Sequence, residues 1–526
     1  MRRRDLLKAS AAGLAGLAMP AVLRGESARV LRFVPQADLA VLDPVWTTAD
    51  VTRNHGYLVF DTLYGVDRNY APQPQMLEGH VVENDGKTWR LTLRDGLRFH
   101  DGEKVRAADV VASLKRWAAR DAYGLALMAA TDELAADDDR VVQFRLKRPF
   151  PQLANALAKP GSNMPCIMPE RLAATDPFKP VTEMVGSGPY RFLAGERVFG
   201  SQVVYEKFAG YVPRASGEPS YTAGPKVAYF DRIHWTVIPD PTTAANALVS
   251  GEVDWWEQPP VDLVALLAAD GKIEVRVDEA ASAIGVIRFN FLFPPFDDPA
   301  VRRAILPAIN QADFMTAVAG TDRRYWRDKI GVFNAVSPLA TEAGTEIMAG
   351  DPAAAKAALA KTRYRGERVV ALTPVDFPSI NALGQVGAAV LRAIGMEVDL
   401  QGLDWGAVVQ RRTSKNPPDQ HGWNLFFTYL QGPNEFSPAA HLGLRANGDK
   451  GWFGWPSDPT LEALRDAWFA APDLAAQQHL CAEIQAEAFR FVPFIPLGQY
   501  FQPTAYRRGL AGVREGFAQF YSVRPG

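Results

Sequence analysis

Cysteine is scarce. Cys166 and Cys481 are the two thiols in 526 residues, too few for a disulfide framework. A single bridge between them stays open as a reading, and two buried thiols are preferred. No cysteine follows the N-terminal apolar run closely enough to suggest a lipoprotein anchor. Charge of one sign is also missing. Lys and Arg number 57 against 59 Asp and Glu, and the pI is about 6.4. That balance lacks the basic excess a nucleic-acid partner demands. Beyond the first residues no apolar run is long enough to span a bilayer. The seven histidines, His55, His80, His100, His234, His421, His441 and His479, form no HxH, HxxxH or Cys/His cluster. Neither a direct protein metal site nor a resident cofactor is therefore expected. GxSxG, HExxH, P-loop and dinucleotide fingerprints are missing as well. An exported hydrolase stands only as a disfavoured alternative.

What is present begins with a targeting segment at 1–27. Basic residues at 2–8 (RRRDLLK) precede an apolar run at 9–23 and small residues at 25–28, the layout of a cleaved signal peptide. Arg3-Arg4 followed by Leu6, Leu7 and Lys8 resembles the twin-arginine export signal. An ordinary Sec signal is the alternative. Either route places the mature chain in the periplasm, with its net charge changed from -2 to about -6. The whole chain is 48% hydrophobic and 22% charged, which supports large packed cores.

Helix and strand signals mix along its length. Trp89, Leu91 and Leu93 alternate as a half-buried strand. Arg94-Asp95-Gly96 turns, and Leu97 and Phe99 suggest a second short strand. Asp101-Gly102 turns again, and Val110, Val111, Leu114 and Trp117 mark a helix face. Helix starts built from an Asp cap and a Pro recur at Asp240-Pro241, Asp298-Pro299 and Asp351-Pro352. Gly251 and Gly395 read as helix stops, and Pro307 should kink its helix. His100-Asp101 reads as a turn stabiliser, because no partner nucleophile stands nearby in the sequence.

These segments, in this order, resemble the family of large extracytoplasmic solute-binding proteins that feed ABC importers of peptides, nickel and related solutes. The likeness rests on the Trp strand, LRDGLRFHDG and AADVVASLKR. It continues through GSGPY, SGEVD, IRFNFLFPPFDDPAVRRAILPAIN, DPAAAKAALAKTRY, IGMEVDLQGLDW and FVPFIPL. The resemblance implies an α/β, two-lobed periplasmic-binding-protein fold of type II, in the large cluster with an extra subdomain, a hinge and an interlobe cleft. Lobe I would comprise 28–282, with the subdomain at about 57–176. Lobe II would span 283–490, and 491–526 would return to lobe I. It further implies a monomer that delivers its ligand to a membrane permease with its ATPases, touching the membrane only there.

Ligand contacts follow from the same resemblance. Trp46 and Thr47 lie in a segment like the N-terminal cleft loop, and Trp405 follows a strand end. Tyr429 and Gln431 fall in the segment that carries ligand contacts in peptide-binding members. Trp452 and Trp455 are Gly-flanked aromatics. Dipeptide-binding relatives carry an acid in the segment like TYLQGP, and this chain has none there; Glu435 is nearest. Near TPVDFPSIN, where those relatives have a carboxylate-binding arginine, stands Asp376. The implied ligand is a peptide-like or amine-bearing small solute, with its cation near Asp376 and an apolar part on the tryptophans. A free dipeptide zwitterion fits this pattern poorly. A nickel or metal chelate is the nearest alternative.

Overall fold

The computed structural model describes residues 28–277, 282–471 and 473–526; the targeting segment expected at 1–27 lies outside them. Two mixed sheets organise the chain. The first has seven strands, in the order Tyr190–Phe192, Gln202–Lys207, Arg232–Thr236, Val30–Val34, Trp255–Trp256, Pro503–Arg507 and Ile273–Val277. The second has six, in the order Trp326–Arg327, Phe494–Tyr500, Ala283–Phe289, Leu425–Gln431, Val369–Pro374 and Val398–Leu403. Ala283–Phe289, Leu425–Gln431 and Phe494–Tyr500 are buried along their whole lengths. Such full-length burial follows from a sheet covered on both faces.

The chain passes from the first sheet to the second between Val277 and Ala283. It passes back between Tyr500 and Pro503. The sequence places this return at 491. Phe494–Tyr500 instead pairs with Ala283–Phe289 and with Trp326–Arg327, so the second sheet keeps the segment to Tyr500. An apolar run marks a strand but does not name its partner.

A separate four-stranded antiparallel sheet (Leu77–Glu83, Thr88–Leu93, Val141–Leu146, Thr131–Ala136) falls inside 57–176. Helix Ala107–Ala118 packs against it and buries Val110, Leu114 and Trp117. The short strand expected at Leu97 and Phe99 is only a bridge between Arg98 and Lys104. His100 holds the chain there: its Nε2 lies 3.0 Å from the Gly188 carbonyl, and the Gly186 N–H donates to its Nδ1 at 3.4 Å. Burial pushes its pKa down to about 4, so this turn stabiliser stays neutral.

The Asp-Pro helix starts form as expected. Asp240 accepts from the Thr243 N–H, Asp298 from Ala300, and Asp351 from Ala353 and Ala354. Gly251 closes its helix at φ 84°, a left-handed conformation that suits glycine. At Pro307 the α-helix Pro299–Ile305 gives way to a 3-10 turn. Both cysteines are free and buried. Three ion pairs are buried in the first lobe, Asp43 with Arg116, Asp61 with Lys226, and Asp121 with Lys159. No helix among the described residues is long and apolar enough to cross a membrane.

Candidate functional site

The parallel strands place the site. Val30–Val34 runs parallel to Arg232–Thr236 and Trp255–Trp256, and Val369–Pro374 runs parallel to Val398–Leu403 and Leu425–Gln431. In open α/β sheets the crevice beyond the carboxyl ends of such strands is where ligands bind. A cavity of about 1160 Å³ opens there, between the two sheets. Its walls include the loops that follow these strands, carrying Gln36, Asp38 and Gln258 from the first sheet and Asp376, Asp404 and Trp405 from the second, and residues of helices Val261–Ala269 and Gln311–Ala319.

Each cavity side chain is fixed by its loop. Asp404 caps helix Trp405–Arg411, accepting from the Ala407 N–H at 2.8 Å. Asp376 accepts from the Trp405 N–H at 2.7 Å. That bond holds the Trp405 indole edge-on to Phe377, ring centres 5.7 Å apart. Partial burial raises the Asp376 and Asp38 pKa values, and Asp404 opposes the charge of both. The cavity wall is thus acidic, which favours a cation over an anion.

Further along the strand ends the two lobes touch. The Arg412 guanidinium donates to Thr48 Oγ1 at 3.3 Å, and the Trp452 Nε1–H donates to the same oxygen at 3.4 Å. Tyr70 stacks on Phe436 at 4.5 Å. Asn434 Nδ2 donates to Ser162 Oγ at 3.5 Å. Asp50, first residue of helix Asp50–Val59, sits at this junction and pairs with Arg53 at 2.8 Å. Burial raises its pKa, while Arg53, Gln431, Arg412 and Ser162 favour its charge.

Glu435 is the anomaly of the site. It is fully buried, and neither carboxylate oxygen has a hydrogen-bond partner among the described residues. Burial, and then the negative charge of Asp50, push its pKa well above the usual carboxylate range. A third carboxyl, Glu257, accepts from the Gln36 N–H at 2.8 Å and from Asn54 Nδ2 at 2.6 Å. Burial lifts its pKa to about 7. Asp50 thus feels the charges of Arg53 and Arg412, Glu257 feels those of Arg53 and Asp50, and Glu435 feels that of Asp50. A buried acid without a partner is costly, and such groups gather where a ligand completes the set.

The expected contact residues divide accordingly. Asp376 and Trp405 line the cavity. Thr47, Gln431 and Trp452 lie around the lobe junction, where Thr47 is buried one residue before Thr48. Trp46 turns away and donates to the Phe178 carbonyl at 3.2 Å. Tyr429 stacks on Tyr500, which lines the cavity, at 5.9 Å. Trp455 packs on Trp423 at 6.1 Å in the second lobe. Sequence reasoning missed Asp50, Arg412 and Glu435. Glu435 carried a signal, as the nearest acid after the largely apolar strand LFFTYLQ. His421, which sequence position sets near the cleft, is exposed. No three His, Cys, Asp or Glu among the described residues form a group that could hold a metal.

Known proteins share this architecture. The family model for bacterial extracellular solute-binding proteins, family 5 (middle), matches residues 71–444. The probable peptide ABC transporter periplasmic-binding protein y4tO of Sinorhizobium fredii is 35% identical over 519 residues, covering 97% of each chain. The glutathione-binding protein GsiB of Salmonella typhi is 32% identical over 292 residues, 54% of this chain and 53% of that one. Among solved structures, the periplasmic binding protein AgaA in complex with agropinic acid, from A. tumefacien R10, superposes with a TM-score of 0.78 at 21% identity. The match covers 94% of this chain and 99% of that one. DppA from Helicobacter pylori, in complex with the peptide STSA, also gives 0.78, at 20% identity and with 94% and 98% covered.

Proposed function

The chain belongs to the bacterial extracellular solute-binding proteins, family 5, and from that premise we propose that it captures a peptide or peptide-like solute bearing a cationic amine. The solute is held between the two lobes and passed to an ABC permease with its ATPases. The probable peptide-binding y4tO, similar over 97% of this chain, supports the peptide class. Among the solved neighbours, one is described with a peptide and another with agropinic acid, a range that includes solutes other than plain peptides. The nickel alternative is not favoured.

The observation that carries the amine is Glu435, buried beside Asp50 without a hydrogen-bond partner. An ammonium group there satisfies the orphaned oxygens and offsets the repulsion between the two acids. The anchor expected at Asp376 is reassigned in this reading: Asp376 holds Trp405 in place and lends the cavity wall its charge. Trp405, Trp452 and Gln431 supply the apolar and hydrogen-bonding surroundings. Binding proceeds by population shift, because contacts from both lobes favour the closed form. No chemical turnover is assigned to the site. The chain acts as a monomer in the periplasm, after removal of its leader.

Mass spectrometry of small molecules released from purified protein tests the reading. An amine-bearing peptide or conjugate is expected. A bound solute without a basic nitrogen overturns it.

A further inference from the structure

A second cavity, of about 250 Å³, lies in the first lobe, and none of its lining residues lines the larger one. Three arginines wall it, Arg68, Arg276 and Arg514, against a single acid among the described residues, Glu515. Four stretches of chain meet there: the turn between strands Tyr64–Val66 and Pro72–Pro74, the loop at 219–221, the end of strand Ile273–Val277, and the segment at 513–515. The arginines are far apart in sequence, so only the fold gathers them.

Among the described residues no carboxylate pairs with any of the three guanidiniums. Arg276 donates to the Val513 carbonyl at 2.9 Å and to that of Arg514. Arg514 donates to the Tyr221 carbonyl at 2.6 Å and to Ser522 Oγ at 2.7 Å. Carbonyls and a hydroxyl fix these two planar forks but carry no net charge to cancel theirs. The Nε of each is buried with no partner among the described residues. Burial lowers the Arg514 pKa, and Tyr521 rather than a carboxylate opposes that shift. Arg514 also works against the charge of buried Lys226, whose ion pair takes up Asp61. Arg68 is exposed. Its backbone N–H donates to Ser220 Oγ at 3.0 Å, and its guanidinium makes no hydrogen bond or ion pair among the described residues. Glu515, also exposed, leaves the excess of positive charge in place.

A recess with three uncancelled cations, two of them already pinned, is preorganised for an anion. Arg68 brings unused donors to its rim, and the Ser220 hydroxyl has a hydrogen to give. The volume, about a fifth of the larger cavity's, suits a phosphate or a short carboxylic acid rather than a peptide. We propose that this pocket is a second binding site, separate from the interlobe cavity, for a small soluble oxyanion of the phosphate or carboxylate type. Tyr70, on the pocket wall, ties the site to lobe closure. Its ring lies 5.7 Å from that of Tyr221 and stacks on Phe436 of the second lobe. Arg276 stands one residue before Val277, where the chain leaves the first sheet. A bound anion therefore favours the arrangement in which the lobes touch, and closure favours the anion by the same factor. The site stands whether or not Glu435 takes an amine.

The experiment titrates full-length mature protein, purified without phosphate or sulfate, with inorganic phosphate and separately with succinate. Sodium chloride holds the ionic strength constant, and calorimetry reads the binding. At least one of the two anions is expected to bind saturably at one site that chloride does not fill. Arg68→Glu is expected to weaken that binding about tenfold or more, the scale of a charge-assisted hydrogen bond turned to repulsion. Glu515→Gln is expected to tighten it about twofold to fivefold, the scale of one exposed charge. Both side chains are exposed, and Arg68→Gln, with intermediate affinity expected, replaces Arg68→Glu if circular dichroism shows that the latter does not fold. No saturable binding of either anion, or binding that the variants leave unchanged, overturns the site; the second result places the anion elsewhere in the molecule. Small-angle scattering in the same buffers is expected to give a smaller radius of gyration with the anion than without it. Equal radii at saturation overturn the link to closure and leave the site standing.

Discussion

A side-chain carbon on Gly161 would lie 1.9 Å from Oδ1 of Asn434. The backbone of the first lobe and a buried side chain of the second meet at a separation that only glycine permits. Gly161→Val should therefore hold the lobes apart, because Asn434 has no room to rotate at 3% exposure. Small-angle scattering should show a larger radius of gyration with ligand present. Affinity should fall by about tenfold or more, the penalty for excluding the closed form. Thermal stability without ligand should stay close to wild type.

Glu435 sets a pH dependence of binding. The ligand amine needs the ionised carboxylate, whereas burial and Asp50 favour the neutral one. Binding should then release a proton, and affinity should weaken as pH falls. Calorimetry in buffers of different ionisation enthalpy measures that proton directly. Glu435→Gln should abolish the release and lower affinity by about tenfold or more.

The same groups govern the stability of the free protein, with the opposite sense to a salt-bridged acid. Glu435 and Glu257 have folded pKa values above their unfolded ones, that of Glu257 reaching about 7. The folded state keeps these protons longer than the unfolded state does. Their contribution is most favourable below the unfolded value and is lost as pH rises through the folded one. Glu435→Gln should accordingly raise the melting temperature at pH 8 and leave it nearly unchanged at pH 4. Chemical denaturation across pH 4 to 8 provides the check.

Asp61 accepts from the deeply buried Lys226 Nζ at 2.6 Å and from the hydroxyl of half-buried Tyr211 at 2.9 Å. Asp61→Asn should destabilise the first lobe by about 3–5 kcal/mol, since it strands a buried ammonium. A urea melt followed by tryptophan fluorescence measures the loss.

The two thiols should be silent. Burial pushes the pKa of Cys481 up to about 12 and that of Cys166 higher still, and the thiolate is the reactive form. Iodoacetamide should label neither residue until denaturant is added, and reductant should not shift the melting temperature.

Much of this architecture is legible in the sequence, and for physical reasons. Asp240-Pro241, Asp298-Pro299 and Asp351-Pro352 encode helix starts locally, so they need no tertiary knowledge. Gly251 and Gly395 encode stops in the same way. The pairing of Phe494–Tyr500 is not local: a run of apolar residues fits either sheet. Within the site, the aromatic walls at Trp405 and Trp452 could be named because indoles near strand ends and glycines are few. Asp50 reads as an ordinary acid in a first helical turn, and Arg412 as a basic residue at a helix end. Only the fold removes water from both. Glu435 follows the strand by four residues, and nothing in its neighbours foretells that its oxygens go unmatched.

Pro503–Arg507 inserts between Trp255–Trp256 and Ile273–Val277. The first sheet is therefore discontinuous until nearly the last codons have been translated, although its earliest strand emerges near the start. The second lobe has all its strands beforehand. A chain cut short by some twenty-five residues would keep a whole second lobe and a split first one, exposing two unpaired edges to whatever protease or neighbouring chain finds them first.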